Sequence, residues 1–322
     1  MTLGPLLVEP RRDAADYPDL PLGLVDLDRC GAETIALPPY PLVGMGDVTH
    51  PLAAMLDAVV EPPFTTEGIA SNTAKAPNAA AVAVQLLRSI DAVSLEAALV
   101  GESLAYAVLQ GSEEHREWLA DRRPSPIEEA GAVLIERRGA TLQVTLDRPA
   151  ARNAIDRTMR DALFEAFTVA AADSEIERVA LRAAGRAFSM GGALEEFGTT
   201  SDPAAAHLIR CRTLPALPLS RCAAKVDVHV QGGCVGAGLE MAAFAARVIA
   251  APSAWFQLPE LAMGLIPGAG GCVSLPRRIG RKRTALLLLS GRRIGVELAL
   301  RWGLVDAIED HPPIDDGGTN RH

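Results

Sequence analysis

Two glutamates, Glu240 and Glu260, each stand beside a glycine-rich turn, in the stretches GCVGAGLEMAA and FQLPELAMGLIPGAGG. Such turns can present bare backbone N–H groups to an oxygen, and a neighbouring carboxylate can move protons next to it. The pairing points to chemistry at an activated carbonyl. The run from Gly232 to Gly238 follows a strand-like stretch and opens a helix-like one. A helix start leaves N–H groups unpaired and carries partial positive charge, so an anionic oxygen is stabilised there. A packing turn would use the same glycines. A dinucleotide fingerprint is excluded because its GxGxxG spacing is absent, and a phosphate loop because no Gly-Lys-Ser/Thr follows.

A second turn, Phe188-Ser189-Met190-Gly191-Gly192-Ala193, also follows a strand and offers a second N–H. Ser189 does not lie within GxSxG, which argues against a nucleophile elbow. Glu240 falls in the first turn of its helix, where an acid complements the dipole even without a reaction. Glu260 follows Pro259 and precedes apolar Leu261-Ala262-Met263, so partial burial is expected to raise its pKa; a loop salt bridge is the plainer alternative. The six histidines form no constellation. His229, mid-strand, reads as a core residue, and a triad lacks its histidine.

The elements that must position these groups follow from periodicity. Residues 1–75 are rich in proline and turn residues without a sustained period, and read as extended and partly ordered, with a short helix near Pro51–Val60. Residues 76–124 place apolar side chains at helical spacing, with Ser94 as N-cap before Leu95. RRPSPIEEAG breaks that pattern. Val133–Glu136 and Leu142–Leu146 then alternate as a hairpin around Arg138-Gly139. Helix 157–172, strand 179–183, helix 202–214 and strand 226–230 follow, then a helix over 237–246, strand 247–250, a loop over 259–271 and helices through Arg301. Residues 303–308 read as a last strand and 309–322 as a flexible tail. Strands alternating with helices give an α/β core over residues 131–308.

Composition bounds the function. Of 322 residues 49% are apolar and 22% charged, a globular balance, and the net charge of −9 argues against nucleic acid as a partner. The densest basic cluster, Arg277, Arg278, Arg281, Lys282 and Arg283, reads either as a solvated helix face or as a contact to an anionic ligand tail. Cys30, Cys211, Cys222, Cys234 and Cys272 are scattered without metal spacing, so reduced buried thiols are expected and no metal or redox cofactor is implied. The N-terminus lacks a signal-like pattern and no apolar window is long enough to span a bilayer, so a cytoplasmic protein without a membrane partner is expected.

Taken together, these stretches resemble the crotonase, or enoyl-CoA hydratase/isomerase, superfamily. The match runs through LDRPAARNAI, RAFSMGGALEEF, VQGGCVGAGLEMA, FQLPELAMGLIPGAGGCVSLPRRIG and GRRIGVELALRWGLVDAI, in the family's order. The resemblance implies a spiral of ββα turns, usually assembled as trimers or dimers of trimers. It assigns Gly192 and Ala237 to the oxyanion hole and Glu240 and Glu260 to the paired catalytic acids of the hydratases. It further places Ala151, Met190, Gly191, Leu194, Gly236, Pro259 and Gly268 against an acyl-CoA thioester, coenzyme A entering as part of the substrate.

Some positions depart from the family pattern. Ala193 stands where an acid is common, and Leu258 replaces a polar residue, which implies a drier pocket. Ala150 and Glu195 stand where lysines often meet the CoA phosphates. Residues 76–124 resemble the family's closing helices, which implies a circular permutation. The expected activity is hydration of 2-enoyl-CoA, with a Δ3,Δ2-enoyl-CoA isomerase using Glu260 alone, or a non-catalytic acyl-CoA-binding subunit, as alternatives.

Overall fold

A computed structural model describes residues 6–31, 34–122 and 129–310. The tail 311–322 and most of the break after Arg122 lie outside the described residues.

The first described segment is more regular than its sequence suggests. Strands β1 (Gly23–Asp26), β2 (Leu42–Met45) and β3 (Ala58–Val59) form a small parallel sheet in that order. The helix expected near Pro51–Val60 is only a 3-10 turn, Pro51–Ala54, capped by His50, and the chain re-enters the sheet at β3. Strands this short leave no readable alternation, which is why the segment looked extended.

Helices α1 (Thr66–Thr73), α2 (Pro77–Ser89), α3 (Leu95–Gln110) and α4 (Glu113–Asp121) come next. Ser94 does cap α3, its side chain accepting from the Ala97 N–H. Ser112 caps α4 in the same way through His115 N–H. Strands β4 (Ala132–Arg138) and β5 (Thr141–Asp147) form the hairpin, and β5 alternates buried with half-buried residues along its whole length. Helix α5 (Arg157–Ala172) is capped by Asp156 and buries Leu163 and Phe167. Truncating a fully buried phenylalanine such as Phe167 costs about 3–5 kcal/mol.

Then follow β6 (Arg178–Ala183), α6 (Pro203–Thr213), α7 (Ala216–Cys222), β7 (Val226–Val230), β8 (Gly233–Val235) and α8 (Ala237–Ala242). The chain continues through β9 (Arg247–Ala250), β10 (Trp255–Gln257), α9 (Gly271–Ile279), α10 (Arg281–Ser290), β11 (Ile294–Gly295), α11 (Val296–Trp302) and β12 (Ala307–Ile308). One six-stranded sheet has the order β12-β9-β7-β6-β5-β4, parallel except for the hairpin. A second sheet, β11-β10-β8, sits beside it.

One hydrophobic core joins the helices of the first part to the sheets of the second: Ala83, Leu87 and Leu109 pack in the same cluster as Val144, Val228 and Leu287. Asp57 adds a polar tie. Its carboxylate, almost fully buried, accepts from Leu42 N–H at 2.8 Å and from Arg88 at 2.8 and 2.6 Å, with Arg281 of α10 at 3.4 Å. Three members of the basic cluster, Arg278, Arg281 and Arg283, are tied into the fold. Arg278 donates to the carbonyls of Ala245 and Leu304 and to Asp306, Arg283 meets Glu61, and none of the five basic residues lines the cavity described below. Of the five cysteines, Cys222, Cys234 and Cys272 are buried free thiols, whereas Cys211 is exposed. Among the described residues no helix is long and apolar enough to cross a membrane.

Candidate active site

Two chain segments meet side by side at the end of β6 and β7. Ser189 N–H donates to Gly233 O at 3.0 Å and Val235 N–H to Ser189 O at 2.9 Å, which holds the two glycine turns together. Ile155 grips the first turn, donating to Gly191 O at 2.8 Å and accepting from Ala193 N–H at 2.9 Å. That leaves the intervening Gly192 N–H turned away, without a protein acceptor among the described residues. The Ala237 N–H, first of α8, is equally unpaired, as helix starts are.

Gly192 and Ala237 both line a cavity of about 250 Å³ that Glu240 and Glu260 also line. Gly236, with φ +48 and ψ −124, turns the chain from β8 into α8. A side chain there would be strained by the positive φ, and its Cβ would stand 2.7 Å from Glu260 Oε1. The glycine therefore sets both the Ala237 donor and the room for the carboxylate.

The two acids are held differently. Glu240 Oε2 accepts from Ala269 N–H at 2.6 Å and Gly271 N–H at 2.8 Å. Burial raises its pKa to about 7, with those N–H groups pulling it down. Glu260 begins a 3-10 turn, Glu260–Met263, and its Oε2 is buried with no hydrogen-bond partner. Burial first, and the Glu240 charge second, push Glu260 well above the carboxylate range. Neutral Glu260 beside ionised Glu240 is the arrangement these surroundings favour, an acid next to a base.

Helices α3 and α4 brace both turns. Glu102, buried in α3, accepts from Gly270 N–H and Cys272 N–H at 2.7 Å each. Four consecutive N–H groups, 269 to 272, thus alternate between Glu240 and Glu102. Burial, then the Glu240 charge, raises Glu102 as well. His115 of α4 contacts Met263 O through Nδ1 at 2.8 Å and so fixes the end of the Glu260 turn.

Met190, Gly191, Leu194, Gly236, Pro259 and Gly268 all line the cavity, as does Ala193. Ala151, in the turn Pro149–Ala151, is not among its lining residues. Leu258 is fully buried, and Glu195 is tied to buried Arg148 at 2.8 Å. Sequence reasoning overlooked Glu102, Tyr106, Gln110 and Arg210. The first three recur every four residues along α3, a one-face signal that was present but hidden among alanines and leucines. Among the described residues no group of three or more His, Cys, Asp or Glu could hold a metal ion.

Residues 136–312 match the family model for enoyl-CoA hydratase/isomerase. The chain is 32% identical over 176 residues to 2,3-dehydroadipyl-CoA hydratase of Escherichia coli (strain K12), covering 55% of this chain and 68% of that protein. It is similar to the crystal structure of a putative enoyl-CoA hydratase/isomerase from Mycobacterium abscessus, with 34% identity, a TM-score of 0.52, and 56% and 71% of the two chains covered. It is also similar to the enoyl-CoA hydratase of Thermoplasma volcanium, with 33% identity, a TM-score of 0.51, and 56% and 72% covered.

Proposed function

The chain belongs to the enoyl-CoA hydratase/isomerase family, and on that premise we propose that it hydrates 2-enoyl-CoA thioesters to 3-hydroxyacyl-CoA. The observation that carries this reading is the shared cavity. Gly192 and Ala237, each with an unpaired N–H, line it together with a base-like Glu240 and an acid-like Glu260.

The thioester oxygen takes the N–H groups of Gly192 and Ala237, which stabilise negative charge as it develops. Glu240, its carboxylate oriented by Ala269 and Gly271, removes a proton from water while the oxygen adds to C3. The electron pair of the double bond moves to the thioester oxygen as an enolate. Glu260 then delivers its proton to C2 as the enolate re-forms the thioester carbonyl, and the proton that Glu240 took from water passes through solvent to Glu260, restoring both groups.

Ala193 favours a second reading. It lines the cavity with a methyl group beside Gly192, which suits a Δ3,Δ2-enoyl-CoA isomerase that shuttles one proton on Glu260 without holding a water. Separate incubation with 2-enoyl-CoA and 3-enoyl-CoA distinguishes the two. Loss of the conjugated enoyl absorbance from the first supports hydration; its appearance from the second alone supports isomerisation.

The reading extends to chain order and assembly. Helices α2 to α4 take the place of the family's closing helices, as a circular permutation would have them; the contacts of Glu102, Tyr106 and His115 at the site support this. A trimer or dimer of trimers is the corresponding assembly, checked by light scattering.

A further inference from the structure

Arg210, Tyr106 and Gln110 bring to the cavity wall hydrogen-bond donors that form no ion pair among the described residues. Arg210 of α6 is held in place by α3. Its Nε donates to Ser103 Oγ at 3.1 Å, Nη2 to Ser103 O at 3.1 Å and Nη1 to Gln110 Oε1 at 2.6 Å. The guanidinium lies over the Tyr106 ring, 4.6 Å from its centroid. Three bonds leave two of its five N–H groups unused. Among the described residues no carboxylate approaches it within the 4.0 Å of an ion pair. Burial depresses its pKa, and the more distant Tyr106, Cys211 and Glu102 oppose that only in part.

Its neighbours have the same character. Gln110 spends its oxygen on Arg210, so its amide N–H₂ is what remains to offer. The Tyr106 hydroxyl donates to no described acceptor. The same ring packs on the turn that holds Glu240: a Cβ at Gly268 would lie 2.3 Å from Tyr106 Cδ2. Arg210 is therefore one aromatic ring away from the catalytic turn. Ala206, Ile209 and Leu214, which also line the cavity, are apolar.

A group that only accepts hydrogen bonds and carries negative charge fits donors arranged in this way, and a carboxylate is that group. We propose that the acyl chain of the substrate ends in a carboxylate, gripped by Arg210 with Tyr106 and Gln110, so that the enzyme acts on half-thioesters of dicarboxylic acids. This rests on the thioester reading above and specifies its substrate class. A site built to pair a charged group rejects the analogue lacking it far more strongly than an apolar pocket distinguishes one methylene.

Saturated thioesters test binding without hydration. Calorimetric titration of the wild-type protein with adipoyl-CoA, hexanoyl-CoA and free CoA should show adipoyl-CoA at least about tenfold tighter than hexanoyl-CoA. Succinyl-, glutaryl- and suberoyl-CoA then locate the preferred length. Arg210→Met should abolish or reverse the preference while leaving hexanoyl-CoA and free CoA within about twofold. Tyr106→Phe, which removes one hydroxyl and keeps the ring, should weaken adipoyl-CoA alone. Equal or tighter hexanoyl-CoA binding by the wild type overturns the carboxylate assignment and leaves the thioester reading standing. So does an Arg210→Met variant that weakens all three ligands alike, which would place the guanidinium on coenzyme A. Failure of every thioester to bind overturns both.

Discussion

Asp57 and Glu260 are both buried carboxylates, and the protein treats them in opposite ways. Asp57, where the small parallel sheet meets α2 and α10, has both oxygens engaged by Arg88, with Leu42 N–H and Arg281 adding to them. Glu260, at the cavity, keeps one oxygen without any partner. A satisfied buried charge fixes two parts of a fold to one another; an unsatisfied one stores a proton. Glu240 lies between the extremes, supported by two N–H groups yet still raised by burial. The degree of satisfaction separates Asp57 from the two acids proposed to react better than burial does.

The comparison breaks first if Glu260→Gln leaves catalysis intact. Crotonyl-CoA hydration should fall by about 10²–10⁴ in kcat, with a thermal midpoint equal to or above the wild type's, since a buried acid lacking one partner has been removed. Next in size is Ala237→Pro. Proline is tolerated at the first helical position but has no N–H, so kcat should drop by about 10²–10³ while circular dichroism stays unchanged.

Asp57→Ala should act on the other side of the comparison. It strands Arg88 and Arg281 and should cost about 3 kcal/mol in denaturant unfolding, with kcat per folded molecule unaltered. The smallest effect concerns pH. Glu240 is raised from its ordinary 4.5 to about 7, so the folded state binds more protons than the unfolded one across that interval. Its contribution to stability is fully present below pH 4.5 and is lost as pH rises through about 7. Glu240→Gln should flatten that part of the stability-versus-pH curve.

The same contrast explains what could be read from the sequence. Glu240 and Glu260 were legible because local turn chemistry surrounds each one, Gly192 and Ala237 were singled out by the family resemblance, and the structure brings all four to one cavity. Helix α5 and strand β7 were legible because their periods are long and clean. Strands β8 and β10, three residues each, were hidden inside turns and loops that gave no alternation. Glu102 and Arg210 were hidden for another reason. Their meaning depends on partners 168 and 107 residues away, which no local pattern encodes. Asp57, likewise, was an unremarked acid until Arg281 reached it across 224 residues.

The division of labour between the two glutamates is tested most directly by proton exchange at C2 of butyryl-CoA in deuterium oxide. This saturated thioester needs neither water addition nor Glu240, only the two N–H donors and the group that moves the C2 proton. Proton NMR should show C2 deuteration by the wild-type protein and by Glu240→Gln, and exchange at least about 10² slower in Glu260→Gln. Undiminished exchange in Glu260→Gln would contradict the assignment of the C2 proton to Glu260.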